Sequence, residues 1–437
     1  MGRINKRDLC ILAGLLTIGV IGVFFVQAFE KNGAHGRLYA AVHFFGEVSF
    51  MVDLNIDNVF SLAEALNREP NGLPQVYFEV QGGAIAFVSS DCPDLLCVHM
   101  GPQSQIGGFA ACLPNRLFFY IEEVVYSLHS KAFFGIFDTV IFLRLFAPSE
   151  EAFELYANAI YEELHRLHVL FDIFNEYEGI TNIASINRMA GVKPLTICAD
   201  LFEFLTKAKA IYHKSSGSVN IAMGPVLRHW HKFITGESNL PPNKAELETA
   251  ALLSNFDDVI FYENQVFLTK KGMSLDVGAL AKGFALERIY LASKDLGIIS
   301  GIISIGGDML IIGYPLDGRE FWSVGIEDQV GAGLFGIKQI SGTSIATSGI
   351  NQRFKMYMDE RFHHIIDPST LMPKNQFSSL TIIHPSPWIA EFLSTAAFIL
   401  PLQEGFKLVN EFDACALWIF PDGSYMHTDG FTFIEVD

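Results

Sequence analysis

Basic residues are scarce in this chain of 437 residues: 30 lysines and arginines face 48 aspartates and glutamates, a formal net charge of -18. That balance argues against non-specific nucleic-acid binding, because phosphate contacts need clustered cations. Charged residues make up only 18% of the chain, which is not the composition of a disordered segment. Six cysteines are too few for a disulfide scaffold. Internal repeats and low-complexity tracts are also lacking, which removes solenoids and arrays. What is present is apolar. Half of all residues are hydrophobic and 39 are phenylalanine, enough for large packed cores. The length suggests two to four domains at about 100–200 residues each.

The amino terminus carries Arg3, Lys6, Arg7 and Asp8, then no charge across residues 9–29. That run is close to the roughly 20 residues a helix needs to span a bilayer. The basic flank should stay cytoplasmic, leaving the rest of the chain outside. A cleaved signal peptide is the rival. The apolar run exceeds the usual ~7–15 residues, and Gln27-Ala28-Phe29 is a poor cleavage site. Cys10 precedes the run, which argues against lipoprotein processing. The expectation is an uncleaved single-pass membrane anchor over residues 1–30, with the remainder extracytoplasmic.

After a polar linker, residues 38–123 read as a small all-β module. Strands are expected at 76–80 and 84–88, around a Gly82-Gly83 turn, and at 117–121. A second unit, 131–437, mixes strands and helices without strict alternation, so its class is α+β. A strand is expected over 137–146. A helix follows from Ser149, with Glu150 and Glu151 in its first turn, where the helix dipole favours anions. Phe153, Tyr156, Ile160, Leu164, Leu167 and Phe171 then recur at helical spacing. Asp200 to Glu203 has the spacing of a capping box opening another helix. Residues 276–297 read as a third helix, running into a strand at 302–305, and 390–400 as a fourth.

Three cysteines fall in the β module, in Asp91-Cys92-Pro93-Asp94-Leu95-Leu96-Cys97 and Ala111-Cys112-Leu113-Pro114-Asn115. A zinc site using them, with His99 between, is conceivable. The spacing is not the short paired spacing of structural zinc sites, and it favours a disulfide between two of the three, or plain buried thiols. These two turns, after a Gly-Gly and a strand, resemble the second domain found in some NusG proteins. That resemblance implies a small β-rich module with no catalytic role to carry over.

The chemistry lies in the second unit. Ser274-Leu275-Asp276-Val277-Gly278-Ala279-Leu280-Ala281-Lys282-Gly283 puts a carboxylate, small residues and a lysine near a helix start, where free amides favour phosphate. Tight helix packing with a surface lysine is the bland alternative. Ser216 to Pro225 forms a flexible turn, and Ala346-Thr347-Ser348-Gly349 reads as a small polar turn. Arg361-Phe362-His363-His364-Ile365-Ile366-Asp367-Pro368 supplies adjacent histidines and an Asp-Pro turn. Glu391, Ser394 and Thr395 stand at i, i+3 and i+4, on one helix face. Hard oxygen ligands of that kind suit Mg²⁺, although such a surface is usually just solvated.

In this order, and with Asn175, Tyr177, Ser185-Ile186-Asn187-Arg188 and Ile305-Gly306-Gly307-Asp308, the motifs resemble the ApbE family, the FAD:protein FMN transferases. The resemblance runs from about Ala132 to the carboxyl terminus. It implies an enzyme that cleaves FAD and transfers FMN, through its phosphate, to a threonine or serine of an acceptor protein, releasing AMP. It places flavin contacts at Ser218, Val219, Asn220, Asp276, Lys282 and Ile366. Mg²⁺ ligands fall at Ala279 (through its carbonyl), Glu391, Ser394 and Thr395, and the base at His364. Acceptors in the family are often parts of membrane electron-transfer systems. No acceptor-like Asp-x-x-(Ser/Thr)-x-(Ala/Ser)-Thr stretch occurs here, so self-modification is not expected.

Three positions depart from the family pattern. The usual Ala-Phe-Asp turn reads Ser218-Val219-Asn220, the usual aspartate of the metal helix is Glu391, and the early Met-Gly-Thr reads Phe137-Asp138-Thr139. Two further readings stay open: Mg²⁺-dependent hydrolysis of FAD to FMN and AMP, with water replacing the protein hydroxyl, and, motivated by Asn220 and Glu391, a protein that binds FAD without turnover. Gly331-Ala332-Gly333-Leu334-Phe335-Gly336 matches a dinucleotide fingerprint, but that site needs a following helix. The β-branched residues 337–345 indicate a strand instead.

Overall fold

The computed structural model describes residues 36–328 and 333–436. The anchor expected over residues 1–30 lies outside the described residues. Among the described residues, no helix is long and apolar enough to cross a membrane. The chain divides into two compact units, one up to Tyr126 with Leu316–Gly318, the other Ser127–Pro315 with Arg319 onward.

The first unit holds two small antiparallel sheets. One orders its strands as Glu47–Asp53, Gly36–Phe44, Leu117–Val125 and Phe109–Cys112. The other orders Asn58–Ser61, Tyr77–Gln81 and Ala84–Ser89. Gly82 and Gly83 turn the hairpin with positive φ, as the Gly-Gly signal predicts. Phe78, Phe87, Phe119, Val42 and Ile121 fill the core. The all-β expectation needs one amendment, since one-turn helices occur at Leu62–Ala65 and Leu96–His99.

The second unit is built on an eight-stranded sheet. Its order is Tyr425–His427, Cys415–Ile419, Ser379–His384, Thr343–Gly349, Asp308–Ile312, Gly301–Ile305, Thr139–Ala147 and Ser127–Ile136. All neighbours pair antiparallel. Helices Glu150–Phe171, Ala281–Asp295 and Pro387–Ile399 pack against this sheet and one another, an α+β arrangement. The first starts where its sequence indicates: Ser149 accepts the Ala152 N–H, and Phe153, Ala157, Ile160, Leu164 and Leu167 face the core. The last is apolar on nearly all sides and buried accordingly.

Four local readings are corrected. Phe137 and Asp138 do not begin a strand. Both have positive φ and form the two-residue hairpin turn closed by the Ile136–Thr139 pair. Asp200 does not cap its helix, which begins at Ala199; it takes ion pairs from Arg166 at 2.6 Å and Arg288 at 3.1 Å instead. Residues 276–280 are not helical, because the helix begins at Ala281 after a turn at 278–280. Residues 346–349 are strand rather than turn. Among the described residues, strand Leu334–Ile340 follows Gly333, so no helix completes the dinucleotide fingerprint.

Candidate active site

Helix Ala281–Asp295 starts without a side-chain cap of its own, so its first amides need partners from elsewhere. Glu391, from helix Pro387–Ile399, supplies one. Its Oε2 accepts the Gly283 N–H, and a carboxylate there also suits the helix dipole. Only glycine fits this crossing. A Cβ at Gly283 would lie 2.7 Å from Glu391 Oε2 and 2.8 Å from the Pro387 carbonyl oxygen.

Lys282, one residue earlier, bonds the buried Asp308 carboxylate and lies 3.7 Å from Glu391 Oε1. Asp308 enters from the end of the Gly306-Gly307 turn, and its Oδ1 accepts the Thr347 N–H at 3.0 Å. Burial lowers the Lys282 pKa, but Asp308 and Glu391 outweigh it, so the amine is held charged. Burial pushes Glu391 up to about 7, with Asp308 adding and Lys282 and the Gly283 N–H opposing.

Glu391 Oε1 is buried and has no hydrogen-bond partner. Such an orphaned acceptor suits a cation. Ser394 Oγ donates to the Glu391 carbonyl at 2.9 Å and lies 3.0 Å from Ser348 Oγ. Its proton is therefore committed, Ser348 is the donor to it, and one lone pair stays available. Thr395 lies partly buried beside Ser394, and Ala279 sits in the turn just before the lysine helix. The donor set is all oxygen, the chemistry of Mg²⁺, so these residues fit the expected ion.

Asp276 ends an irregular segment pinned from two sides. Asn187 makes reciprocal bonds to Leu275, accepting its N–H at 2.6 Å and donating to its carbonyl at 2.9 Å. The Asp276 N–H donates to the Ile221 carbonyl at 2.7 Å. Burial raises the Asp276 pKa, against the Gly278 N–H and the charges of His231 and Arg353.

The adjacent histidines differ in what their nitrogens can do. His363 is fully buried; Nδ1 accepts the Ile365 N–H at 3.2 Å, and Nε2 faces the Lys374 carbonyl at 3.0 Å. Both nitrogens are committed, and burial takes its pKa down to about 4. His364 Nδ1 lies 3.3 Å from the Arg353 carbonyl. A carbonyl only accepts, so Nδ1 carries the proton and Nε2 the lone pair. His364 is exposed at the surface, yet surrounding protein, followed by the positive charges of Arg353, His363 and Lys282, takes its pKa down to about 3. The imidazole is neutral at pH 7. Asp367 is spent on the turn, accepting from Ser369 and from Lys374 Nζ at 3.0 Å.

The remaining predicted contacts lie elsewhere in the same unit. Ser218 has a buried Oγ without a hydrogen-bond partner. Val219 belongs to the main core, and Ile366 packs with Trp230 and Met223, so these two positions can offer a ligand mainly backbone groups. Asn220 accepts the Ala222 N–H at 2.9 Å and donates to the Ser254 carbonyl at 2.7 Å. A carboxylate could not make that second bond, which gives the amide its own structural task. Sequence reasoning passed over Asp308 and Arg353 as site residues. The carboxylate directly after Gly-Gly was the available signal for the first; nothing local marked the second.

The ApbE family model matches residues 137–418. This chain belongs to the ApbE family. The NusG domain II model matches residues 11–124. A protein of Treponema pallidum named FAD:protein FMN transferase is 31% identical over 258 residues, 55% of this chain and 71% of that one. A Klebsiella pneumoniae protein of the same name is 28% identical over 248 residues, 54% and 76% of the two chains. The crystal structure of an ApbE protein from Thermotoga maritima superposes with a TM-score of 0.63 at 25% identity, covering 71% of this chain and all of its own. The Lys282 cluster and His364 lie within the stretch that the ApbE model covers.

Proposed function

We propose that this ApbE chain is an FAD:protein FMN transferase. The observation that carries the reading is the clustering of Lys282, Asp308 and Glu391 at one helix start, with one Glu391 oxygen lacking a hydrogen-bond partner. Ala279, Glu391, Ser394 and Thr395 would hold Mg²⁺, which when bound offsets charge on the FAD pyrophosphate. Lys282 contributes positive charge from the same helix start. Asp276, Ser218, Val219, Asn220 and Ile366 position the flavin half.

His364 Nε2 takes the proton from a threonine or serine hydroxyl of the acceptor. The oxygen attacks the phosphorus on the FMN side, the P–O bond to the AMP half breaks, and AMP leaves with the electron pair. Positioning and charge do most of the work in such a transfer.

The acceptor is a protein of a membrane or extracytoplasmic electron-transfer system. Residues 9–29 anchor the chain as one span, leaving the catalytic unit outside the cytoplasm. Protease added to spheroplasts should then digest that unit; protection until lysis would overturn the topology.

The decisive assay mixes the chain with FAD, Mg²⁺ and an acceptor domain. Fluorescent label on the acceptor, with AMP released, supports transfer. The exposure of His364 also admits water, and free FMN with AMP and no label would mark an FAD hydrolase instead.

A further inference from the structure

The three cysteines of the first unit come from two segments and meet in its core. Cys92, Cys97 and Cys112 are all buried and unbridged, and their sulfurs all lie within 4.8 Å of one another. Cys92 and Cys97 Sγ are 3.6 Å apart, a non-bonded separation. Thiolates bound to one metal at about 2.3 Å, at tetrahedral angles, stand about 3.8 Å from each other. The Cys92–Cys97 separation is close to that of two ligands in one coordination sphere.

Two backbone features create the cluster. Leu95 takes a left-handed conformation, φ 51°, ahead of the helical turn Leu96–His99, which swings Cys97 back towards Cys92. Strand Phe109–Cys112 then delivers Cys112 beside Leu117.

Ser90 completes the surroundings. Its Oγ accepts the Cys92 N–H at 3.2 Å and an Asn115 Nδ2–H at 3.2 Å, and lies 3.6 Å from Cys112 Sγ. With both lone pairs used, its own proton points to sulfur. A hydroxyl donating to sulfur favours the thiolate that a metal requires.

We infer that Cys92, Cys97 and Cys112 form a binding site for a thiophilic d¹⁰ cation, zinc(II) or copper(I), held by three thiolates. Binding displaces the three thiol protons to solvent and forms three metal–sulfur bonds, with no change of oxidation state. Zinc would take water as a fourth ligand; copper(I) needs none. The ion cross-links segment 92–97 to strand Phe109–Cys112, stabilising a module whose core is small. His99, which the sequence offered as a ligand, is exposed and takes no part.

The test uses the full chain, purified with reductant and without oxygen, then stripped by a chelator. Zn²⁺, Co²⁺ and Cu⁺ are added separately. The expected result is one ion per chain, a thiolate-to-cobalt charge-transfer band for Co²⁺, and a raised unfolding midpoint with Zn²⁺ or Cu⁺. A stronger response to one of these identifies the ion.

Replacing any of the three cysteines by serine should abolish the band, while C198S and C415S retain it. Ser90→Ala should weaken binding by about 10–100-fold, the usual loss for an outer-shell partner. Because a cysteine variant can fail to fold, thiol alkylation of the wild-type chain is the second measure: Zn²⁺ should slow it at three thiols, and chelator should restore it. Unchanged alkylation with no bound ion would overturn the site. So would a disulfide between two of these cysteines in the oxygen-free chain.

Discussion

Glu391 caps the helix that carries Lys282, through the N–H of Gly283. One carboxylate therefore serves two purposes: Oε2 completes a helix start, and Oε1 faces Lys282 at 3.7 Å with no hydrogen bond.

Glu391→Gln keeps the shape and an acceptor for Gly283 but removes the charge. It should raise the Mg²⁺ concentration needed for turnover. It should also erase the rise in unfolding midpoint that Mg²⁺ gives the wild type. Glu391→Asp should keep both responses. An undiminished Mg²⁺ shift in Glu391→Gln would show that this residue is not a ligand. Gly283→Ala should destabilise by about 1–3 kcal/mol in denaturant unfolding, since the methyl must push two helices apart.

His364→Ala should slow FMN transfer by about 10²–10⁴-fold, the range for a lost general base, with little change in FAD binding. His363→Ala should instead lower the unfolding midpoint, because it strips partners from buried backbone groups. Near-normal transfer in His364→Ala at neutral pH would remove it from the chemistry.

The pKa of His363, taken down to about 4 from 6.5, sets a sign for pH dependence. Between these values the unfolded chain binds a proton that the folded chain refuses. Stability from this group is complete above pH 6.5 and is lost as pH falls towards 4. At pH 5 the loss is on the order of 2 kcal/mol. His363→Gln should lack that component in unfolding curves at pH 5 and pH 7. An equal acid loss in wild type and variant would assign it elsewhere.

Asp308→Asn should leave Lys282 with Glu391 as its remaining carboxylate, at a cost of about 1–3 kcal/mol in stability. A double-mutant cycle with Lys282→Met should give a coupling of at least about 1 kcal/mol. A coupling near zero would mean that the two groups act independently.

Much of this architecture is written locally. Ser149 with two glutamates, followed by apolar residues every three or four positions, specifies helix Glu150–Phe171. Gly82-Gly83 specifies a hairpin. Glu391, Ser394 and Thr395 share a helix face because their spacing demands it. Other features depend on partners distant in sequence. Phe137-Asp138 carries no glycine or asparagine, so its turn shows only when two strands pair around it. Asp200 looks like a cap until Arg166 and Arg288 claim it. Residues 346–349 look like a turn because they are small and polar, yet pairing with strand Ser379–His384 holds them extended. The contrast between His363 and His364 is invisible in the sequence, since it rests on which carbonyl or amide each ring nitrogen meets.

The cap on the Lys282 helix spans 108 residues, and the Asn187–Leu275 clamp spans 88. Contacts of such high order form late in folding, because long loops must close before they are rewarded. On a nascent chain emerging from its amino-terminal end, the β module and helix Glu150–Phe171 have their residues available early. The charged cluster has to wait for Glu391. A chain cut just before that residue keeps six of the eight sheet strands but leaves the helix end uncapped, so the competence of this site waits on a residue made 108 positions after Gly283.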